Sequence, residues 1–134
     1  KYAYIFGAVC PARDEAVGLV LPAANTEAML VHLEHISMNI PEGRHAVIVL
    51  DKAAWHTTKR LKRFKNISLL HLPPASPELN PTEQVWQALR DGYLANRCYE
   101  DYDAIMAACC DAWNAFVDIP TKVQNLCSRS WANL

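Results

Sequence analysis

At 134 residues, half of them apolar and a fifth charged, the chain has the size and composition of one globular domain with a real core. Its 13 basic and 14 acidic residues give a net charge of −1, which excludes a global basic field as a sign of nucleic-acid binding and leaves local clustering to carry any such signal. No apolar run approaches the roughly 18 residues of a membrane span and no signal-peptide pattern opens the chain, so a membrane is not expected as a partner.

In chain order, residues 2–10 and 16–21 are apolar and β-rich, separated by the polar connection Pro11, Ala12, Arg13, Asp14 and Glu15, which predicts a hairpin. Asp14 and Glu15 are expected to be solvated turn residues. Asn25 is the expected N-cap of a helix whose buried face carries Met29, Leu33, Ile36 and Ile40 at helical spacing, stopped by Pro41-Glu42-Gly43. Residues 45–50 form a continuous apolar run, expected to be a strand covered on both faces, and Asp51 follows it. A basic stretch comes next, with Lys52, Lys59, Arg60, Lys62, Arg63 and Lys65, and then a short strand over 67–72.

A proline-rich loop leads to Asn80-Pro81, which is expected to start the longest helix, with Val85, Trp86, Leu89 and Tyr93 on its apolar side. A last long helix is predicted over 101–116, and Pro120 breaks it. Trp86, Trp113 and Trp131 are expected in the core. Five cysteines (Cys10, Cys98, Cys109, Cys110, Cys127) without a CxxC pair predict buried thiols of a reducing cytoplasm, neither disulfides nor a zinc site. The order of strands and helices predicts an α/β layered fold with a mixed sheet, in a single domain spanning 1–134.

The chemistry concentrates on two carboxylates. Asp51 emerges at the carboxyl end of a central strand, the edge where open α/β sheets place ligands; the lesser alternative is a cap on a following helix. Glu83 stands three residues after Asn80, as in a capping box, and the positive end of the helix dipole favours a carboxylate there whether it caps or binds a cation. Mg²⁺ takes oxygen ligands of this kind together with water and substrate phosphate, and the basic residues after Asp51 would meet phosphates. His56 would orient a phosphate or water, or serve as a packing residue. His45 and His71 flank strands and read as structural.

The blocks Asp51-Lys52-Ala53-Ala54-Trp55-His56 and Leu72-Pro73-Pro74-Ala75-Ser76-Pro77-Glu78-Leu79-Asn80-Pro81-Thr82-Glu83-Gln84-Val85-Trp86 resemble the DDE transposase domain of IS630-type elements, which are grouped with the Tc1/mariner transposases. The resemblance implies an RNase H-like (retroviral integrase-like) three-layer fold with a mixed sheet. It also implies Mg²⁺- or Mn²⁺-dependent cleavage and transfer of DNA strands. Asp51 falls on that family's second catalytic carboxylate and Glu83 on its third, 32 positions later, both as metal ligands. The partners implied are transposon-end and target DNA, met by Lys52, His56, Lys59, Arg60, Lys62 and Arg63, in a bacterial cytoplasm or nucleoid.

Lys52 departs from the Asn or Gly usual after the catalytic Asp. The family's first catalytic Asp lies on a strand upstream of the hairpin, and Asp14 does not match it. The expectation is therefore a domain truncated on its N-terminal side and lacking the first strand, with little activity by itself. Open strand edges left by that gap would favour a homo-oligomer. The alternative is a non-catalytic remnant that binds DNA or self-associates.

Overall fold

The computed structural model describes residues 3–50, 60, 64–72, 82–95 and 98–127. It is an α/β chain whose order is β1 (Tyr4–Cys10), a 3₁₀ turn (Pro11–Arg13), β2 (Glu15–Leu21), α1 (Thr26–Asn39), β3 (Ala46–Leu50), β4 (Ile67–His71), α2 (Thr82–Leu89), a π turn (Arg90–Leu94), α3 (Tyr102–Val117) and α4 (Lys122–Cys127). The chain divides into two compact units, the first Lys1–Pro22 with Pro81–Leu134 and the second Ala23–Asn80. Among the described residues the strands make two pairs, β1–β2 in the first unit and β3–β4 in the second.

In the first unit, β1 and β2 are antiparallel from Tyr4↔Leu21 to Cys10↔Glu15, the predicted hairpin. Its turn departs from expectation at Asp14. That residue adopts a left-handed backbone (φ +51°), which a short polar side chain tolerates better than most. Its carboxylate does not simply face water. Asp14 Oδ2 accepts from the Thr121 amide at 2.7 Å and Oδ1 from the Gln124 amide at 2.9 Å. A turn residue thus caps α4, a helix more than a hundred positions away, and meets two of its orphan N–H donors. Glu15 is the exposed residue expected, paired with Arg13 at 3.2 Å.

The core of this unit is built by Val85, Leu89, Ala112, Trp113, Phe116, Val123 and Cys127. Complete burial of Val85, Leu89 and Phe116 contributes on the order of 1.5–3 kcal/mol each. Trp113 lies against the hairpin where Gly7 and Gly18 face each other in register. A Cβ on Gly18 would come within 2.3 Å of the Trp113 indole, and one on Gly7 within 2.6 Å of Trp113 and 2.8 Å of Trp86. The two indoles meet with centroids 6.2 Å apart, tilted by 37°. Bare backbone at both positions is what lets them seat.

The helix opening near Asn80 is not the longest. After eight residues α2 widens into the π turn around Gly92, where the weak helix propensity of glycine (about 1 kcal/mol) does not sustain regular pitch. α3 runs for 16 residues, close to the predicted 101–116, and Asp101, expected as its first residue, is its N-cap, with Oδ1 accepting from the Ala104 amide at 2.8 Å.

In the second unit, α1 begins as predicted, with Asn25 Oδ1 accepting from the Ala28 amide at 2.9 Å. Met29, Leu33 and Ile36 are buried, while Ile40 lies one residue past the helix end. Gly43, at φ +82°, turns the chain toward β3. The Ser37 hydroxyl donates to Asn66 Oδ1 at 2.7 Å and Asn66 Nδ2 donates back to the Ser37 carbonyl at 3.0 Å, tying the end of α1 to the start of β4. β3 and β4 are parallel, from Ala46↔Ile67 to Leu50↔His71.

Among the described residues β3 is not covered on both faces, although its apolar run predicted that it would be. Val47 is 64% and Leu70 56% exposed, and the two-residue period puts them on one side of the pair. α1 is the one described helix of this unit, and one helix covers at most one face of a strand pair.

Gly18→Ala isolates the indole contact. A strand position ordinarily gains about 0.5–1 kcal/mol from Gly to Ala, but a Cβ driven into a rigid indole costs about 1–3 kcal/mol, so the variant melts lower than the parent in thermal unfolding. Asp14→Ala removes both caps and leaves alanine in a left-handed turn. A loss of about 1–2 kcal/mol is expected, with faster amide exchange at Thr121 and Gln124.

Candidate active site

Glu83 occupies the first turn of α2 and is exposed. Asn80 and Pro81, its expected cap and N1 residue, lie outside the described residues. The Glu83 side chain lines an open groove of about 460 Å³ with Tyr4 and Ile5 of β1 and Trp86, Leu89, Arg90 and Leu94 of the α2 segment. Glu83, Trp86 and Arg90 follow at spacings of three and four, so one side of the helix carries an acid, an indole and a guanidinium in sequence. Seven residues of helix separate Glu83 from Arg90 by about 10 Å along the axis, too far for a mutual ion pair, so each can meet a different ligand group. The groove thus offers a carboxylate, a guanidinium and two aromatic rings, groups able to meet a hard cation, an anion and flat ring faces respectively. Arg90 and Tyr4 were not among the residues predicted from sequence. The i, i+7 relation to Glu83 was the available signal for Arg90, whereas nothing local joins Tyr4 to either.

In the second unit β3 runs to Leu50, the residue before Asp51, and Leu50 is buried. The Leu72 amide donates to the Leu50 carbonyl at 2.7 Å, extending the parallel ladder to the carboxyl ends of both strands. Asp51, Lys52, His56, Lys59, Lys62 and Arg63 lie outside the described residues. Arg60 is described and exposed, and its guanidinium donates to the Glu27 carboxylate in the first turn of α1. Among the described residues no group of three His, Cys, Asp or Glu side chains converges as a metal site. Glu83 and Arg60 belong to different units.

The remaining titratable groups offer little competing chemistry. Cys109 and Cys127 are buried as expected, but Cys10, Cys98 and Cys110 are exposed, because they fall at a strand end, a connection and the outer side of α3. Burial pushes the Cys109 thiol up and neighbouring Cys110 adds to the shift, the reverse of what an activated thiolate needs. His45 Nε2 lies 2.8 Å from Ser68 Oγ, a cross-strand structural contact. A second open groove, of about 430 Å³, is lined mainly by alanines of α3 with Tyr93, Tyr99 and Asp111. No helix among the described residues is long and apolar enough to cross a membrane.

The chain belongs to the DDE superfamily endonuclease family, whose model matches residues 1–106. An uncharacterized protein of Sinorhizobium fredii (strain NBRC 101917 / NGR234), y4pE/y4sA, is 53% identical over 132 residues, which are 98% of each chain. The transposable element Tc3 transposase of Caenorhabditis elegans is 35% identical over 76 residues, 54% of this chain and 23% of that protein. The present chain thus spans nearly all of the first relative and less than a quarter of the second. These likenesses bear out the resemblance to Tc1/mariner-type DDE transposases read from the two sequence blocks. No solved structure matches the chain.

Proposed function

We propose that this chain is a DNA transposase catalytic domain of the IS630 type, which acts on phosphodiesters of DNA with Asp51 and Glu83 as carboxylate ligands of Mg²⁺ or Mn²⁺. The observation that carries the reading is Glu83, an exposed acid on the first turn of α2, rimming a groove that also holds Arg90, Tyr4 and Trp86. Asp51 enters by its sequence position directly after β3, at the edge where α/β sheets hold ligands. The family match runs from residue 1 to 106, through all of the second unit and into the first on both sides of it. That continuity supports one catalytic domain, with the RNase H-like sheet as its expected frame.

The donor chemistry fits the metal, since carboxylate oxygens are the ligands that Mg²⁺ and Mn²⁺ take, and Glu83 is accessible to water and substrate. A divalent ion held by such carboxylates would supply the positive charge that polarises a phosphoryl oxygen and neutralises the charge developing there. The chain's own residues do the rest. Arg90 holds a phosphate at the far end of the groove, while the Trp86 and Tyr4 rings offer stacking faces to bases. The basic residues Lys52, Lys59, Arg60, Lys62 and Arg63, with His56, would meet phosphates of a DNA backbone.

The test is titration with Mn²⁺ or Mg²⁺ of the parent, Asp51→Ala and Glu83→Gln, with and without a short DNA duplex. Saturable binding in the parent, weakened at least tenfold in each variant, is expected, with circular dichroism unchanged. Equal binding in all three would remove the two acids from the site.

A second reading, self-association, has its own observation. Val47 and Leu70 expose apolar surface on one face of a strand pair, and among the described residues β3 pairs with β4 alone. Open apolar strands of this kind recruit further strands or chains. Light scattering is expected to give a mass above one chain for the parent and one chain for Val47→Lys with Leu70→Lys. A parent that stays monomeric would eliminate this reading.

A further inference from the structure

Arg60 is one of six basic residues between positions 52 and 65, and it is already engaged by an acid of the same chain. Its partner, Glu27, is the second residue of α1, directly after Thr26 and two positions beyond the Asn25 cap. We propose that Glu27 is a built-in competitor for the phosphate that Arg60 would hold, so that the Glu27–Arg60 pair lowers the affinity of this chain for DNA. The inference rests on the DNA-binding reading above and adds a control on it.

The geometry favours competition over permanent fixation. Both side chains are more than half exposed, so the pair is solvated and inexpensive to open. A carboxylate and a phosphate present the same oxygen geometry to a guanidinium, so the two exchange at one donor without rearranging it. Glu27 is not stranded by the exchange. It stays in water at the positive end of the α1 dipole, which favours its charge with or without Arg60. A phosphate approaching Arg60 also approaches Glu27, and like-charge repulsion adds to the competition. The ordinary role of such a pair, stabilising the fold, is small for an exposed ion pair.

Fluorescence anisotropy of a short labelled DNA duplex of arbitrary sequence, measured across a salt series, separates the alternatives. Glu27→Gln is expected to bind about two- to fivefold more tightly than the parent at low salt, the range an exposed pair can supply. Arg60→Gln is expected to bind more weakly, with the slope of log affinity against log salt reduced by about one. Placed on Arg60→Gln, the Glu27→Gln change should gain no more than Glu42→Gln, an exposed acid of the same charge elsewhere in the unit. Glu27→Asp, which keeps the charge and shortens the reach, should gain less than Glu27→Gln and guards against a folding defect in that variant.

Equal gains with and without Arg60, or from Glu42→Gln, would overturn the proposal in favour of bulk charge. Weaker binding by Glu27→Gln would also overturn it, by making Glu27 a positioning residue for Arg60. If the parent binds DNA and Glu27→Gln matches it, the inference fails while the DNA reading stands. If neither the parent nor any variant binds at low salt, both fail.

Discussion

The first unit depends on one contact, the Trp113 indole against the bare backbone of Gly7 and Gly18. Those glycines face each other across the hairpin, so a single smooth patch is made by two strands at once. The indole that fills it comes from α3, one turn before the fully buried Phe116, and its neighbour Trp86 comes from α2. One ring therefore fixes α3 to the hairpin and, through Trp86, α2 to both. Because Glu83 stands on α2, Arg90 on the π turn that continues it and Tyr4 on β1, the shape of the candidate groove follows from where that ring sits. A close-packed contact of this kind has little room to relax, which is why two residues without side chains matter more than most residues with them.

Local signals in the sequence were good guides where the chemistry was local. Asn25 caps α1 by accepting from the amide three residues on, so residue type and spacing were enough to find it; Asp101, read only as the start of the last helix, does the same for α3. Asp14 looked the same on paper and behaves differently, because its partners at Thr121 and Gln124 are reached only through the fold. The π turn after Leu89 escaped for a related reason. A hydrophobic stripe through Tyr93 is satisfied by α-helical or slightly widened pitch alike, and only the weak glycine at position 92 hinted at the change. Apolar runs were also ambiguous about coverage. The run over β3 reads as a strand buried on both sides, yet whether a second layer lies over Val47 depends on what else the unit holds.

The family was legible because its blocks are long and ordered, and because each residue type in them carries chemistry that few substitutes provide. The surroundings were less so. Glu83 was visible as an acid at a helix start, but Arg90 and Tyr4 acquire meaning only when α2 is laid beside β1. Glu27 was visible merely as a first-turn acid of a different helix, separated from Arg60 by 33 positions. Motifs record what must be conserved in kind. They do not record which neighbours share the same water.

A chain of net charge −1 that is read as a DNA enzyme must handle phosphate by arrangement instead of by bulk attraction. Two arrangements are present. In one, acid and base are spread along a helix at a distance that prevents mutual neutralisation, as with Glu83 and Arg90, leaving both charges available to a strand that brings phosphate and cation together. In the other, acid and base are in contact, as with Glu27 and Arg60, and the charge becomes available only when something better displaces the acid. The first favours chemistry at a fixed place, because the groups are ready before the substrate arrives. The second weakens indiscriminate attachment, because any polyanion must first compete with a carboxylate already at the guanidinium. Readiness at a reacting phosphate and reluctance along the rest of a duplex are separate requirements and call for separate residues.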